Sequence, residues 1–219
     1  MDKIREYLIQ NRDLFGSELF INSIVNTSKY DNYPVLNLNE FKESICGCKE
    51  CPLGQSRTEF VFGGGDPNAN LLLVGEAPGE QEDLKGEPFI GRAGKLLDKI
   101  LLAIGLNRNK NVFITNVVKC RPPNNRDPLP SEVEKCEPYL NKQISLINPI
   151  LIVALGRVAA KTLLKLEMPL KDLRDKIHDY SGIPLRVTYH PAALLRNPML
   201  KKAAWEDFQW IQKYINNKS

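Results

Sequence analysis

The sequence predicts an α/β fold, a three-layer α/β/α sandwich with a central four-stranded parallel sheet. Short apolar runs typical of buried strands alternate along the chain with amphipathic helical patterns. The chain has 219 residues, of which 42% are hydrophobic, so a substantial core is available. No internal repeat or low-complexity tract interrupts the alternation.

The first strand is predicted over residues 71–75, where an apolar run ends in glycine. Gly105 stands where the first helix after it should have its C-terminal cap, and Pro138 should kink or restart the second helix. The other strands are predicted over residues 112–115, 150–155 and 185–189, and the helices over residues 93–104, 133–147, 157–166 and 200–215.

Residues 1–40 have a different pattern, with short apolar groups among Asn and Ser and a Tyr-Asp-Asn-Tyr-Pro turn at their end. We predict an N-terminal helical extension or linker over residues 1–40 and one α/β domain over residues 41–219.

The order of the elements predicts where function should lie. Right-handed crossovers cover both faces of a parallel sheet with helices, and ligands bind beyond the carboxyl ends of its strands. The residues directly after each strand are therefore the candidates for function. They are residues 75–79, Asn116, Gly156, Arg157 and His190.

Composition excludes several classes of protein. No apolar run reaches the roughly 18–20 residues of a membrane-spanning helix, and the N-terminal residues lack the apolar stretch of a signal peptide. We therefore expect a cytoplasmic protein without a membrane partner, in which cysteines stay reduced. The net charge of +4 permits nucleic-acid binding without indicating it.

Four of the five cysteines form a pattern that is typical of a metal site. Cys48 and Cys51 are a close pair in a polar loop, and Cys120 and Cys136 are distant ligands that tie further segments to it. Four thiolates suit either zinc or an iron–sulfur cluster, and the proline after Cys51 weakly favours the cluster. Cys46 is the odd residue, and we predict that the site does not need it.

Three segments together resemble the motifs of the family-4 uracil-DNA glycosylases. The first runs from Gly75 through Glu82 and Asp83 to residues 88–94, and it is neither a Walker loop nor a dinucleotide fingerprint, so no nucleotide cofactor is expected. The second covers residues 115–126 and the third residues 190–198. The resemblance extends from about residue 45 to 215, and the four cysteines match the iron–sulfur ligands of that family.

The resemblance implies a glycosylase-like domain that flips uracil out of single- or double-stranded DNA and hydrolyses its glycosidic bond in base excision repair. It also implies one [4Fe–4S] cluster, with zinc as the alternative occupant. We expect a monomer, and contact with a sliding clamp has no readable signal in the sequence.

Residue roles follow from the resemblance. Phe89 is expected to stack on uracil, the Asn116 amide to pair with its O4 and N3–H, and His190 to stabilise the charge that develops on O2. Glu76 is a further catalytic candidate. Residues that would surround the base or support the pocket are Gly75, Ala77, Gly79, Glu82 and Asn125, with Asn125 a partner of Glu82.

Two departures from related glycosylase families stand out. Ala77 occupies the position where other families carry an Asp that aids water attack, and Gly79 falls where others carry a Tyr that blocks the thymine methyl group. The other histidine, His178, is predicted to be a surface residue.

On the DNA side, Leu194 is expected to wedge into the gap left by the flipped base, and Leu195 to lie in the core. The candidates for phosphate contacts are Lys119, Arg121, Arg126, Arg157 and Arg196.

Two other functions fit the same residues. One is a module of this fold that binds or traps uracil or single-stranded DNA without turnover. The other is a zinc-stabilised hydrolase of free nucleosides.

Overall fold

The computed structural model describes residues 37–218. Most of the predicted N-terminal extension therefore lies outside the described residues. Helix α1 (Leu38–Ile45) begins directly after Asn37, whose side-chain oxygen accepts hydrogen bonds from the backbone N–H groups of Asn39 and Glu40. Short helix α2 (Leu53–Ser56) follows.

The centre of the domain is a mixed sheet. The order of its strands is β1-β3-β2-β4-β6-β5, and the inner four strands are parallel. Both ends of each inner strand lie within two residues of the predicted positions. The strands are β1 (Gly64–Gly65), β2 (Leu71–Gly75), β3 (Val112–Asn116), β4 (Leu151–Leu155), β5 (His178–Tyr180) and β6 (Ile183–Thr188).

The two outer strands, β1 and β5, were not predicted. Each pairs antiparallel with its neighbour, β1 with β3 and β5 with β6. Strands of two and three residues are too short for an alternating pattern to be recognised. His178 lies in edge strand β5 and is partly exposed, in agreement with the prediction of a surface histidine, and its Nε2 atom lies 2.8 Å from the Leu173 carbonyl oxygen.

The remaining helices lie between and after the strands. Gly86 follows the helix that ends at Lys85, and Gly105 follows the helix that ends at Ala103. Both have left-handed conformations that suit glycine, with φ of +72° and +76°. The helices are α3 (Glu80–Lys85), α4 (Arg92–Ala103), α5 (Pro130–Ile147), α6 (Arg157–Leu164), α7 (Leu170–Leu173), α8 (Pro191–Arg196) and α9 (Lys201–Asn216). Helix α5 is assigned as one element through Pro138, so the predicted restart was wrong.

Helices cover both faces of the sheet, which confirms the three-layer prediction. On one face, Leu71 and Leu73 join a buried cluster with Leu97 of α4 and Phe208 of α9. Strand side chains alternate between faces. Thr115 therefore points to the other face, where its Oγ1 lies 3.1 Å from the side-chain oxygen of Gln143 in α5. In the described part of the chain, no helix is long and apolar enough to cross a membrane.

Candidate active site and cysteine site

One cavity of about 540 Å³ opens at the carboxyl ends of the four parallel strands. Residues at or just beyond the end of each strand line it, namely Glu76, Asn116, Gly156 and His190. The register of the parallel strands brings these positions to the same edge of the sheet. This is the edge at which open parallel sheets bind ligands.

Phe89 forms one wall of the cavity. Its side chain is buried, and its ring centroid lies 5.3 Å from that of His190. The backbone at Phe89 is held in a left-handed conformation with φ of +53°. Arg108 stabilises this turn by donating to the Phe89 carbonyl oxygen at 2.7 Å, and Gly94 provides space, since a Cβ there would lie 1.7 Å from the same oxygen.

Asn116 lies at the base of the cavity and is 1% exposed. Its side-chain oxygen has no hydrogen-bond partner among the residues described here, although buried polar atoms normally have one. Gly75 leaves room for it, because a Cβ on Gly75 would lie 2.4 Å from this oxygen. The site therefore offers a buried acceptor that a ligand donor can satisfy.

His190 is held in one orientation and one tautomer. Its Nδ1 accepts a hydrogen bond of 3.1 Å from the backbone N–H of Ala192, so we assign the ring proton to Nε2. Burial, and secondarily Arg196, lower the pKa of His190 to about 4. The imidazole is therefore neutral near pH 7 and presents an Nε2–H donor.

Glu76 belongs to a charged group that the sequence did not reveal. Burial and the nearby Asp127 carboxylate raise the pKa of Glu76 to about 7. Arg157 contacts Asp127, with 2.5 Å between Nη2 and Oδ2. Asp127 directly follows the second motif, but nothing in its spacing indicates that it meets Glu76.

Glu82 supports the loop that carries Phe89. One of its carboxylate oxygens accepts hydrogen bonds from the backbone N–H groups of Ile90 and Gly91, at 2.9 and 2.8 Å. Among the described residues no hydrogen bond joins Glu82 and Asn125, whose side-chain oxygen accepts from Arg121 Nε at 2.8 Å. Asn125 nevertheless lines the cavity, and the prediction of a Glu82 partner there was wrong.

Ala77 and Gly79 also line the cavity. A Cβ on Gly79 would lie 2.7 Å from a carboxylate oxygen of Glu82, so the small residue leaves space for that carboxylate. The predicted base-binding residues therefore line one cavity, except for Gly75, which lies against Asn116 and Phe89. Their roles are proposed below.

Two predicted DNA contacts were wrong. Lys119 is fully buried, and its ammonium group donates to Thr115 Oγ1 at 2.7 Å and to the Asn116 carbonyl oxygen at 2.6 Å. Leu194 is 1% exposed, whereas Leu195 is 39% exposed. The reason is that neighbouring residues of α8 point about 100° apart, and the inward position falls on Leu194. Arg196 remains exposed at the edge of the cavity.

The four patterned cysteines lie around a second, smaller cavity. Cys120 and Cys136 are buried, and Cys46 is exposed with its thiol directed to the Glu43 carbonyl oxygen at 3.3 Å. The residues that line this cavity include Cys48, Cys51, Cys120, Cys136, Phe60 and Tyr139. Cys46 is not among them.

Two side chains donate hydrogen bonds to sulfur atoms of this site. Arg57 donates to Cys120 Sγ at 3.2 Å, and the Tyr139 hydroxyl donates to Cys48 Sγ at 3.1 Å. Over residues 37–218, no group of three or more His, Cys, Asp or Glu side chains is already arranged to hold a metal ion. Four sulfur atoms on one apolar cavity, with donors directed at them, fit a four-thiolate group.

Comparison with known proteins gives the class first. The model of the uracil DNA glycosylase superfamily matches residues 62–209, which include the sheet and every motif that lines the larger cavity. The chain therefore has the fold of this superfamily.

Curated relatives narrow the class. A type-4 uracil-DNA glycosylase of Archaeoglobus fulgidus is 45% identical over 190 residues, which cover 83% of this chain and 95% of the relative. Another, of Sulfurisphaera tokodaii, is 47% identical over 186 residues, covering 81% and 84%. A third, of Thermotoga maritima, is 42% identical over 180 residues, covering 79% and 92%. The chain belongs to the type-4 uracil-DNA glycosylase family, which confirms the resemblance seen in the motifs.

Proposed function

We propose that this protein removes uracil from DNA by hydrolysing its glycosidic bond, and that the cavity at the strand ends is its active site. One observation carries the proposal. A buried aromatic wall, a buried amide with an unpaired acceptor and a neutral histidine line the same cavity. Family membership supplies the substrate, because the curated relatives are named as uracil-DNA glycosylases.

In this proposal Phe89 and Asn116 recognise the flipped base. The Phe89 ring stacks on the uracil plane, which contributes about 1–3 kcal/mol without selecting the base. Asn116 selects it, since its free oxygen can accept from uracil N3–H and its amide N–H can donate to O4. Cytosine presents the reverse pattern and would leave buried groups unpaired, which can reject an analogue by about 10⁴.

His190 acts on the leaving group. As the C1′–N1 bond breaks, negative charge develops on the uracil, and the Nε2–H of the neutral imidazole is free to donate to O2. This interaction strengthens in the transition state, so it lowers the barrier. Ala77 has no group that could activate water, which leaves Glu76 as the carboxyl group nearest in sequence to that position.

The test is alkaline cleavage of a uracil-containing oligonucleotide after incubation with the enzyme. Strand breaks at uracil, with each enzyme molecule processing many substrates, are expected. A stable covalent adduct or binding without breaks would contradict the proposal in favour of a trapping module. Activity on free nucleosides alone would favour the hydrolase reading.

The variants His190→Ala and Asn116→Ala should each lower the single-turnover rate by about 10²–10³ or more. His178→Ala is the matched control, because it removes the other histidine at an edge strand outside the cavity. A wild-type rate for either active-site variant would remove that residue from the mechanism.

We further propose that the four cysteines hold a [4Fe–4S] cluster with a structural role. The donor set and the directed hydrogen bonds support a four-thiolate group, and the family resemblance favours iron–sulfur over zinc. When bound, the group would fasten the loop of Cys48 and Cys51 to the segment of Cys120 and to helix α5. Hydrolysis of a glycosidic bond transfers no electrons, so no redox step is assigned.

Metal analysis with a visible spectrum tests this assignment. Iron with acid-labile sulfide and brown absorbance is expected, and zinc in a colourless protein would overturn it. Cys46→Ser should retain the metal, whereas Cys120→Ser should lose it. Equal loss in both variants would contradict the proposed ligand set.

The DNA surface of the enzyme is proposed to include Leu195, Arg121 and Arg196. Leu195 is the exposed leucine of helix α8, and Arg196 is exposed at the rim of the cavity. We infer that the enzyme acts inside the cell, because its substrate is DNA, and the expected monomer stays a prediction. Binding should weaken with salt, since the proposed phosphate contacts are cationic.

A further inference from the structure

Three charged side chains from three separate elements meet at one edge of the active-site cavity. Glu76 follows β2, Asp127 precedes α5, and Arg157 is the first residue of α6. Arg157 Nη2 lies 2.5 Å from Asp127 Oδ2, and Asp127 and Glu76 line the same cavity, where their carboxyl groups are close enough to interact. The function proposed above uses Glu76 but gives no role to the other two.

When two carboxyl groups lie close together, ionising both is unfavourable, so one of them retains its proton. Burial, and secondarily the Asp127 carboxylate, raise the pKa of Glu76 to about 7, so Glu76 carries the proton below that pH. Burial raises the pKa of Glu76, whereas the positive charges of Arg157 and Arg196 lower it. The neighbouring His190 is neutral near pH 7 and adds no charge.

Asp127 is held in place from the other side as well. The preceding residue, Arg126, makes a bidentate ion pair with Glu132 of α5, with N–O distances of 2.7 and 2.8 Å. Glu132 in turn accepts from the backbone N–H of Leu129 at 2.8 Å. The loop that presents Asp127 is therefore attached to the start of α5, while the Asp127 side chain itself is 60% exposed and is held by Arg157.

We propose that Asp127, anchored by Arg157, is a positioning residue that orients the Glu76 carboxyl group and determines when this group becomes available as a base. This inference rests on the proposed role of Glu76 in the active site. Only the ionised Glu76 can accept a proton from the attacking water. A base that ionises near the working pH is the most effective.

In the chemical step, the oxygen of water bonds to C1′ while the C1′–N1 bond breaks. The electron pair of the C1′–N1 bond leaves with the uracil. One proton of the water passes to the Glu76 carboxylate. His190 donates its Nε2–H hydrogen bond to uracil O2 throughout and keeps its proton. The immediate products are an abasic sugar and the uracil anion, and the proton on Glu76 then passes to this anion through solvent, which gives neutral uracil and restores the carboxylate.

The experiment compares the pH dependence of the single-turnover rate at subsaturating DNA, which reports the pKa of the free enzyme. The wild-type rate should rise with pH with a midpoint of about 7, the pKa of Glu76 in the folded protein. Asp127→Asn removes the neighbouring negative charge and should move the midpoint down by about one unit. At a pH near 6, the ionised fraction of Glu76 should be about fivefold larger in this variant than in the wild type.

Arg157→Met should move the midpoint in the opposite direction, because the guanidinium favours the carboxylate form of Glu76. Glu206→Gln, which removes one exposed carboxylate from α9, is the charge-matched control and should leave the midpoint unchanged. Midpoints of Asp127→Asn and Arg157→Met that equal the wild-type value would overturn the inference.

Carbon-13 NMR titration of the Glu76 carboxyl group in the enzyme without DNA separates this inference from the proposed function. If Glu76→Gln retains the wild-type rate, the proposed catalytic role of Glu76 fails. The titration still reports whether Asp127 changes the pKa of Glu76. If Glu76→Gln is slow but the titration is identical in wild type and Asp127→Asn, the inference about Asp127 fails alone.

Discussion

The variant Gly75→Ala tests whether the cavity is the uracil pocket. A Cβ at this position would lie 2.4 Å from the side-chain oxygen of Asn116 and 2.6 Å from the nearest ring atom of Phe89. Ordinary contacts begin near 3.4 Å, so these two groups would have to move by 3.4 − 2.4 = 1.0 Å and 3.4 − 2.6 = 0.8 Å. Both groups are proposed to touch the base directly.

The surroundings leave little room for such movement. The Phe89 backbone is fixed by Arg108 and lies against Gly94, and Asn116 ends a buried strand. A displacement of about 1 Å at a reacting centre can cost about 10² in rate. We therefore expect the single-turnover rate on uracil-containing DNA to fall by about 100-fold, with a loss of stability of about 1–3 kcal/mol from overpacking.

Gly64→Ala is the matched control for this measurement. Its added Cβ would meet only the Pro88 side chain, at 3.5 and 3.7 Å, which is ordinary contact. This control should keep the wild-type rate. A Gly75→Ala enzyme that folds and cleaves at the wild-type rate would refute the assignment of the pocket, as would an equal loss in the control.

Three further predictions concern residues outside the base pocket. Lys119→Met leaves two buried oxygen atoms without their donor, so we expect it to cost about 1–3 kcal/mol, seen as a lower Tm; an unchanged Tm would contradict this. Leu194→Ala should cost about 2–5 kcal/mol of stability, whereas Leu195→Ala should leave stability within about 0.5 kcal/mol and weaken DNA binding; the reverse order would return the wedge to Leu194. The hydrogen bonds from Arg126 lower the pKa of Glu132, so the stability from this pair is present above the ordinary Glu pKa and is lost as the pH falls through the lowered pKa. In unfolding experiments, Glu132→Gln should therefore reduce the loss of stability at acid pH. The same loss in the variant and the wild type would argue against the pair.

The parallel core of the fold was predictable because its strands are buried on both faces. Such strands appear in the sequence as continuous apolar runs, as in Leu71–Gly75 and Leu151–Leu155. The edge strands escaped prediction because Gly64–Gly65 has no side chains to alternate. Helix α5 continues through Pro138, because Tyr139, Leu140 and Gln143 are buried against the domain and retain the helix.

The active-site residues were predictable where function follows directly from a strand end, as for Asn116 and His190. Lys119 was misjudged because a lysine in a strand-end loop is usually solvated, whereas here backbone and hydroxyl oxygens enclose its ammonium group. Asp127 was missed because its contact with Glu76 joins residues far apart in the sequence. That contact depends on where the loop before α5 lies, which local patterns do not encode.

The segment from Asn116 to Cys120 links the base pocket and the cysteine site within a single short stretch of backbone. Lys119 ties its two ends together, since its ammonium group holds the Asn116 carbonyl oxygen while the next residue lines the cysteine cavity. A substitution that shifts the backbone at Cys120 would therefore also move Lys119 and the Asn116 carbonyl oxygen that it holds.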